Sequence, residues 1–282
     1  MLPQIDYTPL THPTEPPART DATAFAVSRL AATNGWEYFT HAVAQELPGV
    51  VFRQPNGQPR FSQRAVNIVR IPGAPVIEIG DSFYTEVAVG NQFTQQWGYV
   101  AVHLGVASPS VTVEAASNRT HAALPSTPEG AVSDDRRAGV VVEAAPGTEP
   151  IVDALLTSEI TAALADAQYP LDAELTGPWL FLYAPRSLST DDPASWEHLL
   201  RTVDLFVQRV REVVPTNSAV VSAPSGSSAS STPPPSAHTV SSIAPMQPRG
   251  SRVNGTRVRW YLLAVFGAMA LAGGAALLFG GR

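Results

Sequence analysis

The chain has 282 residues and a net charge of −6, and with no cysteine and no lysine all 18 of its basic residues are arginine. That composition excludes disulfides, thiol catalysis, thiolate zinc, iron–sulfur centres, Schiff-base chemistry and any phosphate loop or kinase site built on a lysine. Five arginines and no acid lie beyond Glu212, so the residues up to that point carry a net −11, and an acidic head lacks the basic face that a nucleic-acid partner would need.

Taken in chain order, residues 1–20 are broken by Pro3, Pro9, Pro13, Pro16 and Pro17 and read as a disordered N-terminus. They hold no apolar run of the length of a secretory signal, so export of the body is not expected. A short amphipathic helix follows over 21–33, capped by Asp21. Next come β-branched or alternating segments, punctuated by Pro or Gly: Ala65–Ile71, Val76–Ile79, Phe83–Val89, Trp97–Leu104, Val111–Ala115 and Gly139–Ala145. Gly80 and Asp81 are expected at the corner between two of these strands. Pro150 opens a helix through about Ala167, with Ile151, Leu155, Leu156, Ile160 and Leu164 inward.

Leu171–Thr176 and Trp179–Tyr183 then read as two strands joined by a turn at Gly177-Pro178, the first nearer an edge and the second central. Asp191 or Asp192 caps a last helix with Pro193 in its first turn. Trp196, Leu199, Leu200, Val203, Phe206, Val207, Val210 and Val214 recur at steps of three and four along it, and Pro215 is expected to stop it. The head, 21–214, is thus expected to be α+β, a mostly antiparallel sheet with flanking helices.

Beyond it, 215–251 is rich in Ser, Pro and Ala without an acid and reads as a disordered linker, about 33 Å in end-to-end distance as a flexible coil. Residues 252–282 form a basic stem and anchor. Trp260–Gly281 is 22 residues without a charge, and as a helix it reaches about 33 Å, enough for a hydrocarbon core of roughly 30 Å. Arg249, Arg252, Arg257 and Arg259 crowd its entrance, with Trp260 and Tyr261 at the interface level, which places the entrance and the head on the cytoplasmic side. The expectation is a single-pass, tail-anchored protein of the cell membrane, in contact with the lipid bilayer. Ala264, Ala268, Ala272 and Ala276 make a small-residue ridge along the span, a face on which two such helices approach to form a homo-oligomer.

Several spots imitate site motifs. Gly80-Asp81-Ser82 after a strand is the setting in which a lipase-like hydrolase presents its serine. The Asp-x-x-His that would supply its base is missing, since Asp192 and His198 are six apart. Leu124-Pro-Ser-Thr-Pro128 imitates a sorting signal but lies far from the hydrophobic segment and reads as a Pro-rich loop. His12, His41, His103, His121, His198 and His238 show no metal spacing; His103 is expected half buried in a strand and His198 on the polar side of its helix. Asp134-Asp135 reads as a solvated loop, and Asn118-Arg-Thr120 carries no weight in a cytoplasmic setting. No cofactor, metal or catalytic set is expected.

Ile77-Glu-Ile-Gly-Asp-Ser-Phe-Tyr84, Gln96-Trp-Gly-Tyr-Val-Ala101, Leu155-Leu-Thr157, Asp172-Ala-Glu174 and Trp179-Leu-Phe-Leu-Tyr-Ala-Pro-Arg186 occur in an order that resembles an uncharacterised actinobacterial family of membrane-associated proteins. The resemblance spans roughly residues 65–211 and implies no activity, cofactor or catalytic residue. The expected function is a non-enzymatic module at the membrane that binds or scaffolds a protein or envelope partner. The alternative is a hydrolase-type enzyme whose site, around Ser82, is assembled only in three dimensions.

Overall fold

Alternation of apolar and polar residues sends successive side chains to opposite faces of a strand, and the sheet built this way has two differently covered faces. The computed structural model describes residues 4–18, 20–42, 47–88, 91–125, 132–134 and 139–221. The anchor residues Arg249, Arg252, Arg257, Arg259, Trp260 and Tyr261, the ridge Ala264, Ala268, Ala272 and Ala276, and linker residues 222–251 lie outside the described residues. No helix among the described residues is long and apolar enough to cross a membrane.

The fold is α+β, and every ladder is antiparallel. Strands β1 (Glu37–Ala42), β2 (Arg64–Ile71), β3 (Ile77–Ala88) and β4 (Asn91–Ala115) follow one another as a meander. β4 takes three partners. Its first half pairs with β3, its last residues, Val111–Ala115, pair with β6 (Val140–Ala144), and β7 (Asp172–Ala184) runs along its other edge. β5 (Val132–Asp134) adds to β6.

The short helix α3 (Ala116–Arg119) follows β4, while helices α2 (Ala22–Thr33), α4 (Glu149–Leu155), α5 (Ser158–Leu164) and α6 (Pro193–Val221) share one core with one face of the sheet. All eight apolar residues expected on the inner stripe of α6 are buried. At roughly 1.5–3 kcal/mol for each large side chain removed from water, that stripe is a principal support of the fold. Asp21 caps α2 by accepting the Ala24 N–H at 2.7 Å, and Asp192 accepts the Ala194 N–H at the start of α6.

Several boundaries differ from the sequence-based expectation. Residues 1–20 are not wholly disordered: a short helix α1 (Thr8–Thr11) buries Leu10, and Asn34 ties Asp6 by accepting its N–H and donating to its carbonyl. β1 was not anticipated, because Glu37-Tyr-Phe-Thr-His-Ala42 lacks a clean alternation. The two segments expected on either side of 80–82 join in one strand, β3, over Ile77–Ala88, with Gly80 and Asp81 in its middle and not at a corner. Gly80 is there because a Cβ would meet the Tyr99 ring at 3.0 Å.

Trp97–Leu104 and Val111–Ala115 likewise belong to β4, whose register slips between His103 and Val111. Leu171–Thr176 and Trp179–Tyr183 are one strand, β7. Gly177 supplies a left-handed residue at φ 54° within it instead of ending it. Among the described residues β7 pairs with β4 alone, so its apolar half is not central by ladder position. It is buried because both faces are covered.

The expected helix 150–167 is broken at Leu156-Thr157, where the Thr157 hydroxyl accepts the Ile160 N–H and caps α5 anew. α6 passes Pro215 and continues to Val221, so the linker does not begin at 215. Proline there removes one helical donor without ending the backbone conformation.

Candidate functional site

The sheet face away from the helices carries an aromatic cluster. Trp97 and Tyr99 from β4, Phe181 and Tyr183 from β7 and Tyr84 from β3 pack with Val51, Phe52 and Leu124 from segments that cross over them. Along β7 the rings stack, Trp179 on Phe181 at 5.8 Å and Phe181 on Tyr183 at 5.7 Å, while Phe52 meets Tyr99 edge-on at 4.9 Å. Such pairs add about 0.5–1.5 kcal/mol each beyond area burial.

Four buried carboxylates each accept a backbone N–H, and two of them, Glu174 and Glu114, hold the crossing segments in place. Glu174 accepts the Val50 N–H at 3.0 Å and the Tyr183 hydroxyl at 2.7 Å. Asp172 accepts the Ala115 N–H at 2.8 Å and the Asn118 amide at 3.1 Å. Glu114 accepts the Leu124 N–H at 2.7 Å and faces the Arg119 guanidinium at 3.5 Å. On the helix-facing side Asp81 accepts the Leu188 N–H at 2.8 Å.

Each of these acids serves a segment distant in sequence. Burial pushes Asp172 and Glu174 up to about 7 and Asp81 to about 6, against the opposing pull of their hydrogen bonds. The arginines are spent in the same way. Arg60 donates from Nε and Nη2 to Val50 O and lies over the Tyr84 ring, and Arg70 bonds Glu78 at 2.9 Å.

The structure does not bring the sequence motifs together. Ser82 is sealed from solvent on β3 and its Oγ has no hydrogen-bond partner, while neighbouring Asp81 is committed to Leu188. His103 is half buried on β4 and meets Trp179 edge-on at 4.9 Å. His198 is not on the polar side of α6. It is buried against α5 with Nε2 3.0 Å from Ala163 O, and burial lowers its pKa. Among the described residues no three His, Asp or Glu side chains gather as a metal site.

Leu124 is buried and pinned by Glu114, so the start of the Pro-rich loop is ordered; Ser126 to Pro128, Asp135 and His238 lie outside the described residues. Asn118, first residue of the Asn-Arg-Thr pattern, is buried on Asp172.

Sequence reasoning missed the crossing segment 47–62, which Glu174 holds, and the burial of the other acids. The available signal was Asp172 and Glu174 alternating with Leu171, Ala173 and Leu175, which has the same pattern whether the polar side meets water or a covering loop.

One feature stands apart from this packed interior. The β3–β4 ribbon extends beyond its neighbours and exposes Val87 and Phe93, with Phe61 exposed beside it where the Thr85 N–H donates to Phe61 O. In comparison with known proteins the chain matches no family model, no curated protein and no solved structure.

Proposed function

We propose that the chain is a membrane-tethered, non-enzymatic module. Its α+β head is held at the cytoplasmic face of the cell membrane by a linker and a single span over 260–281, and it binds or scaffolds a protein or envelope partner. The observation that carries the reading is the use of the buried acids. Asp81, Asp172, Glu174 and Glu114 each accept a backbone N–H through one carboxylate oxygen, so these acids serve architecture, with Asp172 Oδ2 left without a hydrogen-bond partner. The membrane part rests on the uncharged run Trp260–Gly281 and the four arginines before it.

The test has two arms. Full-length chain expressed in bacterial cells is expected in the membrane fraction after alkaline extraction, with the head resistant to protease added outside intact cells and digested after lysis. Release as a soluble species, or digestion in intact cells, overturns the tether. Cross-linking in intact membranes is expected to join the head to a specific protein, and an Arg257→Glu, Arg259→Glu double variant is expected to insert less well and lose it. A head that joins nothing in either form removes the binding role.

A further inference from the structure

Among the described residues the β3–β4 ribbon leaves a strand edge of β4 open. β2 accompanies β3 only to Phe83, and β7 reaches β4 only at Gly98, so Asn91–Gln96 has no strand beside its outer edge among the described residues, although at its inner end the Gln96 side-chain amide donates to Ser187 Oγ at 2.8 Å. Alternation fixes which backbone groups face outward. Gly98 turns its N–H away from β3 to Arg186 O at 2.8 Å, and every second residue back, Gln96, Thr94 and Gln92, shares that direction. Thr85, paired with Thr94, is consistent with this: its own N–H points out of the ribbon on the opposite side, to Phe61 O at 2.9 Å.

Unblocked edges are normally guarded by charge, proline or a covering element. Asn91-Gln-Phe-Thr-Gln-Gln96 has no charge and no proline, and Phe93 on it is 51 % exposed. The acid beside it, Glu86, pairs with Phe93 one strand in and is held there by the Gln95 amide at 3.0 Å, so the outer edge itself presents no charge. With a net charge of −11 up to Glu212, two heads repel wherever acids face acids, and an uncharged edge is where identical copies can meet. Outward backbone groups and the Gln92 and Thr94 side chains each offer both a donor and an acceptor, which is the self-complementarity a two-fold contact requires.

We propose that Asn91–Gln96 pairs antiparallel with the same segment of a second copy, continuing the sheet across a two-fold axis and covering Phe93. This contact is separate from any pairing of anchor helices and does not depend on the membrane reading.

Because the chain has no cysteine, Thr94→Cys introduces a unique thiol. The detergent-solubilised full chain carrying it is expected to give a covalent dimer with a short bismaleimide. Glu159→Cys, on the exposed side of α5, is expected to give none. Thr94→Pro removes an outward N–H without touching the β3 ladder, and is expected to halve the protein mass seen by light scattering while leaving the thermal melt in place.

A monomeric native chain, an unlinked Thr94→Cys chain, or a Thr94→Pro chain that folds and stays dimeric overturns the proposal. So does a dimer that survives Thr94→Pro and dissociates on Ala268→Ile with Ala272→Ile, since association then lies in the anchor.

Discussion

Tyr183 donates its hydroxyl to Glu174 Oε2 at 2.7 Å although both residues lie on β7, nine positions apart. Nine extended residues span about 30 Å, far more than the two side chains bridge, so β7 is folded over between them. The fold-over is located by Gly177 at φ 54° and by the slip of register against β4, where the Ser108 hydroxyl donates to Gly177 O at 2.7 Å. A side chain at Gly177 has open space around it but must adopt a left-handed backbone. Gly177→Ala is therefore expected to destabilise by about 1–2 kcal/mol through the backbone alone, read as a fall in urea midpoint with unchanged slope.

The same bond carries a pH dependence. Glu174 is raised from 4.5 to about 7, chiefly by burial, so the folded state holds a proton that the unfolded state has released. Over the window between those values the folded chain binds more protons, and stability falls as pH rises. Asp172 and Asp81, raised to about 7 and about 6, act in the same direction. Glu174→Gln keeps an acceptor for Val50 and removes the titration. Its stability relative to the native chain is expected to rise by up to about 3 kcal/mol from acid to mildly alkaline pH, measured by chemical unfolding on both sides of the window. An unchanged difference counts against a buried, titrating Glu174.

Gly49 sits where the crossing segment presses onto β7. A Cβ there would collide with the Tyr183 hydroxyl and lie 3.0 Å from the Phe181 ring and 3.1 Å from Glu174. Gly49→Ala is expected to cost about 2 kcal/mol or more by forcing the segment off the aromatic face. Tyr183→Phe removes the colliding oxygen, so the double variant is expected to be less destabilised than the two single changes summed. A double-mutant cycle in thermal unfolding measures the difference, and strict additivity would place Gly49 away from Tyr183.

What the sequence made legible was local and periodic. The stripe from Trp196 to Val214 announces α6 because one face of a long helix repeats regularly, and Asp21 announces α2 because a cap acts within three residues. Strand identity was less visible. Gly80, Gly105 and Gly177 look alike in sequence. In the structure Gly80 makes room for Tyr99, while Gly105 and Gly177 take left-handed backbone inside strands that continue past them. Distinguishing a bend from a turn needs the partner strand, since β4 and β7 deviate together where Ser108 faces Gly177. The acids were illegible for a related reason: Asp172 and Glu174 alternate as solvent-facing residues would, and only the fold brings Ala115 and Val50 onto them.

Ser82 provides the sharpest contrast between an architectural and a catalytic reading of β3. Its hydroxyl is fully buried and makes no hydrogen bond, and its strand neighbours across the ladders are Ala65 and Trp97. A buried, unpartnered hydroxyl carries a desolvation cost of about 1–3 kcal/mol that an alanine does not. Ser82→Ala is therefore expected to leave thermal stability unchanged or raise it, and to leave membrane association and cross-linking at Thr94→Cys intact. A serine nucleophile behaves otherwise: it labels with a fluorophosphonate probe, and its alanine variant loses the label. Labelling of the native chain that disappears in Ser82→Ala would mean that β3 opens to solvent and that the hydroxyl acquires a base in doing so.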